Sequence, residues 1–420
     1  MAHKPEHQSA PFLTEPSLPS VERIQQDLAT ATSIDDFFGK EGIFARLFAG
    51  TLEQMLEAEL TAHLGSAPYA AQGRNSGNSR NGKRARSIRT SSGDTTIQVP
   101  RDRKSEFQPT LLEKYQTSTN ELEEKIIALY AKGVSTRDIQ ETLQELYGVE
   151  VSAQTISTVT DKVWSLVEAW QTRPLAAVYP IMYLDAIHLK LRRDGRVTNT
   201  AVYIVLGIDV DGQRDVLGHW VGDGAEGANF WLSVVSDLQA RGVEEVFIAC
   251  IDGLTGFKEA IGAVFPQTHI QRCIIHQVRQ SLQYVSWKDR KAFAADLRTV
   301  YGAPTREAAE ERLLEVGERW SGRYAVAVRS WERNWDDLAT MFAYPAEIRR
   351  LIYTTNTVEG YNRQVRKVVK TKGALPSGDA ARKLLFLVTR EITRKWTAPL
   401  FNWAKIRNQL AIRFEGRFPM

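Results

Sequence analysis

Between positions 34 and 64, Phe37, Phe38, Ile43, Phe44, Leu47, Phe48, Leu52, Met55, Leu56 and Leu60 recur at three- and four-residue intervals. That period lines apolar side chains along one side of a helix. The stripe is richer than one helix needs, which predicts packing on another domain or a second subunit. Ahead of it, residues 1–20 are rich in Pro, Ser and His without periodicity and are expected to be disordered. After it, the alternation in SIRTSSGDTTIQVP predicts a short β-hairpin about Ser92–Gly93. Helical spacing then returns with Ile126, Ile127, Leu129 and Tyr130 and breaks at Gly133. It restarts at Ser135 through Ile139, Leu143 and Leu146, breaks at Gly148, and restarts at Ser152 through Ile156, Val159 and Val163, so three short helices are predicted.

Beyond Pro174 and Pro180 the period falls to two. YPIMYLDAIHLKLR, TAVYIVLGIDV and DVLGHWVG, parted by RRDGRVTN and DGQR, read as an antiparallel meander. A helix (AEGANFWLSVVSDLQARG), the apolar strand VEEVFIACI, a helix over 256–264 and the short strand THIQRC follow. Three antiparallel strands, helix, strand, helix, strand is the element order of the ribonuclease-H-like fold. Residues 276–350 are helical throughout, with Trp287, Trp320, Trp331 and Trp335 as apolar anchors. Such a sheet still requires a last helix to cover it, so this stretch reads as an insertion.

Charge adds more to this picture than composition does. The 420 residues, 43% hydrophobic and 25% charged, fit a soluble protein of two or three domains. With two cysteines, no apolar run near the roughly 18 residues that span a bilayer, and no signal-like apolar core at the start, a cytoplasmic, reducing setting without a membrane partner is expected. The net charge of +4 conceals an uneven distribution: residues 1–62 carry four Lys/Arg against ten Asp/Glu, whereas 74–104 and 382–417 each carry nine against two. Basic blocks on a soluble chain suggest contacts with polyphosphate, and solvated basic loops are the alternative for any one block. Candidate DNA contacts in the first block are Arg80, Lys83, Arg84, Arg86, Arg89, Arg101 and Arg103. With such a partner, the three helices resemble a helix-turn-helix whose last helix lies in the major groove, a plain helical linker being the alternative.

The expected fold class is therefore α/β, a ribonuclease-H-like catalytic core interrupted by an α-helical insertion and preceded by helical DNA-binding domains. In order, the chain divides into a disordered tail (1–20), a helical region able to dimerise (21–72), a basic DNA-binding segment (73–115) and a trihelical DNA-binding domain (116–173). The first part of the core (174–275), the insertion (276–350), the last part of the core (351–401) and a basic C-terminal tail (402–420) complete it.

Metal-assisted phosphodiester chemistry needs carboxylates that converge, because Mg²⁺ takes oxygen ligands from few protein groups. Two ions about 4 Å apart can activate an attacking oxygen and steady a leaving one. Asp185 lies mid-strand among apolar residues, a costly place for a charge unless it is paired or metal-bound. Asp252 ends VFIACI at a strand C-terminus, where ligands collect in α/β folds, and an Asp-Gly turn is the simpler alternative. Glu359 stands at capping-box spacing from Asn356. Helical spacing also sets Arg363, Arg366 and Lys370 on its face, with Lys367 beside them, while Val358, Tyr361, Val365, Val368 and Val369 fall mostly on the other. A carboxylate heading a basic stripe suits a metal site facing a DNA backbone; a cap alone would not need the stripe.

Five motifs now stand in order: SRNGKRARS with VPRDRKSEFQP, LDAIHLKLR, ACIDGLTGF, the CIIH pair Cys273–His276, and IYTTNTVEGYNRQVRKVVKTKG. The aspartates are 67 residues apart and Glu359 follows the second by 107. On these motifs the chain resembles the Mutator-like superfamily of DDE transposases, specifically the bacterial insertion-sequence transposases of Mutator type, from about Thr51 to Phe401. The resemblance implies a catalytic, metal-binding triad of Asp185, Asp252 and Glu359 serving two Mg²⁺ or Mn²⁺ ions, with Cys273 and His276 in a packing or orienting role nearby; Asn356, by its capping-box spacing, is expected to cap the glutamate helix in support of the site. It implies cleavage at terminal inverted repeats and joining of the 3′-OH to target DNA, often through a circular intermediate. A structure-selective metal-dependent nuclease and an inactive DNA-binding regulator are the alternative functions. Zinc at Cys273–His276 lacks a set of four ligands, and His188, three residues along the strand from Asp185, should face the opposite way. Bringing two double-stranded ends together calls for at least a homodimer, with 34–64 as candidate interface, acting at the bacterial nucleoid.

Overall fold

The computed structural model describes residues 25, 26, 29, 31, 34–37, 42–70, 77–90, 93–112, 118–222, 228–253, 256–353 and 356–419. The expected disordered tail, 1–20, and Ser92 of the expected turn lie outside them. Contacts divide the chain into two compact units, 1–130 with 134–161, and 131–133 with 162–420.

In the first unit, helix α1 (Ile43–Leu64) packs on a hairpin of β1 (Arg80–Thr90) and β2 (Gly93–Asp102). Ala49, Leu56, Ile88, Ile97 and Leu112 form a small core. Much of the apolar surplus of α1 is therefore taken up by the hairpin, while Phe44, Phe48 and Met55 stay exposed. The hairpin is longer than the alternation predicted. It takes in the whole NGKRARS run, with a register shift at Gly82, whose φ of 70° suits a bulge. In β1, Lys83 and Arg84 stand exposed while Ile88 and Thr90 turn in. Three helices follow: α2 (Asn120–Ala131), α3 (Thr136–Tyr147) and α4 (Ala153–Asp161). Ser135 caps α3 by accepting from the Asp138 N–H, and Gly148 ends it in the left-handed region. Ile139, Leu143, Ile156 and Val159 are buried as their spacing requires, but Leu146 is exposed.

In the second unit, α5 (Trp164–Thr172) precedes a five-stranded sheet of order β5-β4-β3-β6-β7. The meander of β3 (Val178–Arg193), β4 (Arg196–Ile208) and β5 (Arg214–Val221) is antiparallel; β6 (Glu245–Ile251) pairs parallel with β3, and β7 (His269–Arg272) parallel with β6. Helices α6 (Ala228–Ala240) and α7 (Phe257–Val264) bring Trp231, Val235, Phe257 and Ile261 onto one face, against Leu184, Tyr203 and Val205. The helical stretch comprises α8 (Ile274–Gln283), α9 (Trp287–Tyr301), α10 (Arg306–Arg333), α11 (Trp335–Ala339) and α12 (Ala346–Tyr353). The chain then returns to the sheet with α13 (Asn356–Lys372) against β3 and α14 (Gly378–Thr393) against β5. Among the described residues no helix is long and apolar enough to cross a membrane.

Two expectations need correction. Trp320 and Trp331 are buried anchors, but Trp287 is 85% exposed. The buried positions of α9 are Phe293, Leu297 and Val300, and a residue six places before Phe293 falls well off that face. The supposed tail 402–420 contains α15 (Trp403–Arg413), and Trp403, Ile406, Leu410, Phe414 and Phe418 are buried. Phe414 stacks on Phe247 of β6 with ring centroids 4.6 Å apart.

The DGQR turn locks α15 in place. Asp209 accepts from the Asp211 and Gln213 N–H groups, Gly212 has φ of 80°, and Trp403 Nε1 donates to the Val210 carbonyl at 3.0 Å. A Cβ on Gly212 would run into the Trp403 ring. Gly212→Ala, which adds a left-handed penalty to overpacking, is expected to cost about 2–4 kcal/mol. A chemical denaturation midpoint equal to that of the wild type would refute this docking.

Candidate active site

Asp185 belongs to a row that crosses the sheet: it pairs with Ile204 of β4, which pairs with His219 of β5. Helix α13 is clamped over this row. Tyr361 Oη lies 2.7 Å from His219 Nε2 and 2.6 Å from Thr389 Oγ1 of α14. Val358, Val365 and Val369 are buried on the same helix. Burial pushes the His219 imidazole down to about 3, so it is neutral at physiological pH. The next residue, Asn362, is 1% exposed and donates from Nδ2 to Asp185 Oδ2. Asp185 Oδ1 accepts from the Ala186 N–H at 2.8 Å.

Asp252 comes one residue after the last pair of the parallel ladder, Leu184 with Ile251, and so arrives beside Asp185. Its Oδ1 accepts from the Gly253 N–H at 2.7 Å. The Arg272 guanidinium lies close over Gly253 and would have to shift for any Cβ there. His276, in the first turn of α8, enters between the two acids, with Nε2 3.9 Å from Asp185 Oδ1 and Nδ1 3.6 Å from Asp252 Oδ1. Cys273 caps this helix, its Sγ accepting from the His276 N–H at 3.4 Å. One potential ligand atom from each of Asp185, Asp252 and His276 lies within 4.8 Å of the other two.

Burial raises the Asp185 carboxyl above the usual carboxylate range; His276 opposes this rise and Asp252 adds to it. For His276 burial acts downward, but Cys273 and the two aspartates outweigh it and hold the imidazole at about 9. An imidazolium thus sits between the acids at neutral pH.

Glu359 lies in the first turn of α13, three residues before Asn362. Its Oε1 is 2.5 Å from Nη2 of Arg279, which is three residues beyond His276 on α8. That contact is one of charge rather than a hydrogen bond, since no N–H is aimed at the oxygen and Oε1 is buried without a hydrogen-bond partner. Sequence reasoning missed both Arg279 and Asn362, although each stands at i+3 from a residue it singled out. The side chain of Asn356, the expected cap, lies outside the described residues.

Asp185 and Asp252 converge with His276 and offer the oxygen donors that Mg²⁺ or Mn²⁺ takes, and Asn362 Oδ1 is buried beside them without a hydrogen-bond partner, whereas Glu359, paired with Arg279, stands outside that group. Neither group of potential metal ligands among the described residues contains a cysteine.

Arg363, Arg366, Lys367 and Lys370 are exposed along α13, and His188 is exposed on the far face of β3. In the first unit Arg84, Arg101 and Arg103 are exposed. Lys83 is 3.9 Å from Glu57, and Arg89 Nε donates to the Glu150 carbonyl at 3.2 Å. Arg86 is half-buried, and burial with Arg84 lowers its pKa. Arg80 departs from its expected role: its guanidinium donates to Glu57, Thr61 and the Ser66 carbonyl, fastening α1 to the hairpin.

A family model described as "Transposase, Mutator family" matches residues 20–399. Over 387 residues the chain is 41% identical to the probable transposase for insertion sequence element ISRM3-like of Sinorhizobium fredii, covering 91% of this chain and 95% of that protein. It is 41% identical over 384 residues to the transposase for insertion sequence element ISRM3 of Rhizobium meliloti, with the same coverage. Against the transposase for insertion sequence element IS256 in transposon Tn4001 of Staphylococcus aureus it is 26% identical over 369 residues, covering 87% and 93%. Among solved structures, the Drosophila P element transposase strand transfer complex aligns over 73% of this chain and 89% of that one at 10% identity, with a TM-score of 0.29, too slight a likeness to carry an argument.

The raised pKa of His276 has a sign that can be checked. A histidine held at about 9 when folded, against 6.5 otherwise, contributes stability that is fully present below about pH 6.5 and is lost as pH climbs to about 9. His276→Gln is expected to flatten the loss of stability over that window, read as denaturation midpoint against pH. An unchanged alkaline limb would mean the imidazole is not held between the aspartates.

Proposed function

Because the chain belongs to the Mutator family of transposases, we propose that it cleaves the ends of its insertion sequence and joins the freed 3′-OH to target DNA, with Asp185, Asp252 and Glu359 as ligands for divalent metal. The observation that carries this reading is the meeting of two aspartates from neighbouring parallel strands under a helix that bears Glu359 and Asn362. The sheet order, and the run of helices between β7 and α13, support a ribonuclease-H-like core with an insertion. Mg²⁺ or Mn²⁺ bound by these residues would supply activation of the attacking oxygen and stabilisation of the leaving one.

The chain's own residues have separate tasks. Asn362 fixes one oxygen of Asp185, leaving the other side of the carboxylate toward Asp252. Cys273 holds the first turn of α8 and with it His276. Arg279 neutralises Glu359 in the free protein, and a DNA phosphate that draws Arg279 away leaves the carboxylate free to join the aspartates. Arg363, Arg366, Lys367 and Lys370 hold backbone phosphate, which positions DNA without reading it. The basic hairpin and α4 recognise the terminal inverted repeats. The exposed Phe44, Phe48 and Met55 share one side of α1 and offer a homodimer contact.

With oligonucleotides carrying the element ends and Mg²⁺, Asp185→Asn, Asp252→Asn and Glu359→Gln are each expected to lower nicking and joining by about a thousandfold or more while end binding persists. Equal nicking by Asp252→Asn and wild type would sink the assignment. Arg279→Gln removes the countercharge from Glu359, so the DNA-free protein should bind Mn²⁺ more tightly by calorimetry, whereas Glu359→Gln should not.

A further inference from the structure

Helix α8 begins at the acids and ends in aromatics. His276 and Arg279 stand near its start; Gln280 and Gln283 follow, exposed, and Tyr284 at its end is 53% exposed. Three residues later comes Trp287. A large ring in water forgoes the burial that aromatic residues normally contribute to a core, and the core of α9 forms without it.

Alongside runs α10, fastened to α8 by Gln277 Nε2 donating to Ser330 Oγ at 2.7 Å and by Trp331 Nε1 donating to Ser281 Oγ at 2.9 Å. The two helices border a groove of about 480 Å³, lined by Gln280, Tyr284, Val326, Arg329 and Arg333, with Glu332 as its acid. Arg333 lies near enough to Arg272 to weigh on its charge, and Arg272 Nη2 reaches the Gly253 carbonyl next to Asp252. The groove carries two arginines against one glutamate, and it is linked to the acid pair through Arg272 and through α8, whose first turn bears His276.

We propose that this groove binds single-stranded DNA, namely unpaired nucleotides near the phosphate being cut, with a base stacked on Tyr284, phosphates on Arg329 and Arg333, and the strand leaving over the exposed Trp287, which stands outside the groove lining. Its connection to the acid pair through α8 and Arg272 gives it this role only if the catalytic reading above holds. Bases of any identity offer a π-face, so exposed rings interleaved with arginines suit a strand whose sequence is not being read. The amide of Gln280 and the hydroxyl of Ser330 can both donate and accept at base edges. An apolar protein segment would meet only one aliphatic side chain here, Val326.

The test uses the full chain, without metal, and a short single-stranded oligonucleotide containing 2-aminopurine, followed by anisotropy and by quenching of the analogue's emission. The Tyr284→Ala/Trp287→Ala pair is expected to bind about tenfold or more weakly, to relieve the quenching, and to leave the salt dependence and duplex binding as they were. Arg329→Ala/Arg333→Ala is expected to reduce the slope of log affinity against log salt by about 1.4. Wild-type affinity and quenching in the aromatic pair would overturn the proposal. Nicking of duplex ends with Mg²⁺ separates the two readings. A wild type that nicks, alongside an aromatic pair that binds single strands normally, removes the groove alone. Loss of single-strand binding in that pair, with a wild type that never nicks, upholds the groove and removes the catalytic reading.

Discussion

A carboxylate 5% exposed in the middle of a β-strand is the constraint that the rest of the site answers. Taking such a charge out of water costs several kcal/mol unless donors and countercharge replace the lost hydration. Asp185 receives an N–H from Ala186, an amide from Asn362 and the nearby imidazolium of His276. Two of these three come from helices far away in sequence. Each helix must then be held in rotation as well as in position, because a turn of a few tens of degrees would remove the donor and leave the charge alone.

The clamp on α13 meets that demand. Tyr361 and Asn362 are neighbours in sequence, yet they reach His219 and Asp185, which sit two strands apart, roughly 10 Å across the sheet. Consecutive helical residues splay by about 100°, so one helix crossing the row can serve both ends of it at once. His219 works in this clamp because it is neutral: a charged imidazole there would add a second buried ion next to the first. Glu359 reaches the site by a different route. The aspartates belong to the sheet or its edge, whereas the glutamate arrives on a helix after the long helical run, and its partner Arg279 comes from the first helix of that run. The helical run thus separates the glutamate from the sheet in sequence while its first helix supplies the countercharge.

How far the sequence revealed this follows from what local pattern can encode. Period two identified the meander, and the change to helical spacing identified the run of helices that follows the sheet, because both are dictated by burial on a single face. Asp185 stood out as a misfit among apolar residues, and a misfit of that kind is visible without any tertiary knowledge. Ser135 and Gly148 marked helix ends for equally local reasons. Arg80 could not be read correctly, since counting charges does not reveal that Glu57, Thr61 and Ser66 surround it. The C-terminal block misled in the opposite way: its basic count drew notice from Trp403, Ile406, Leu410, Phe414 and Phe418, whose spacing already spelled a packed helix. Asn362 is the clearest limit. Nothing about an asparagine on a basic helix announces a buried donor until the strand beneath it is known to carry a charge.

Charge, sorted in this way, has two uses in the chain. Arg80 and Arg417 face glutamates within their own units, the latter with Nη2 2.5 Å from Glu245 Oε1, and they hold α1 to its hairpin and the last turn after α15 to the sheet. Ion pairs of this half-exposed kind contribute little to stability, so their value lies in fixing register and not in strength. The residues along α13 are different, because they ride on the helix whose rotation Tyr361 has already set. Their positions relative to Asp185 are therefore determined by the buried clamp, and any phosphate they hold is placed at a fixed offset from the acids. In that respect the neutral histidine beneath α13 decides where the basic stripe points.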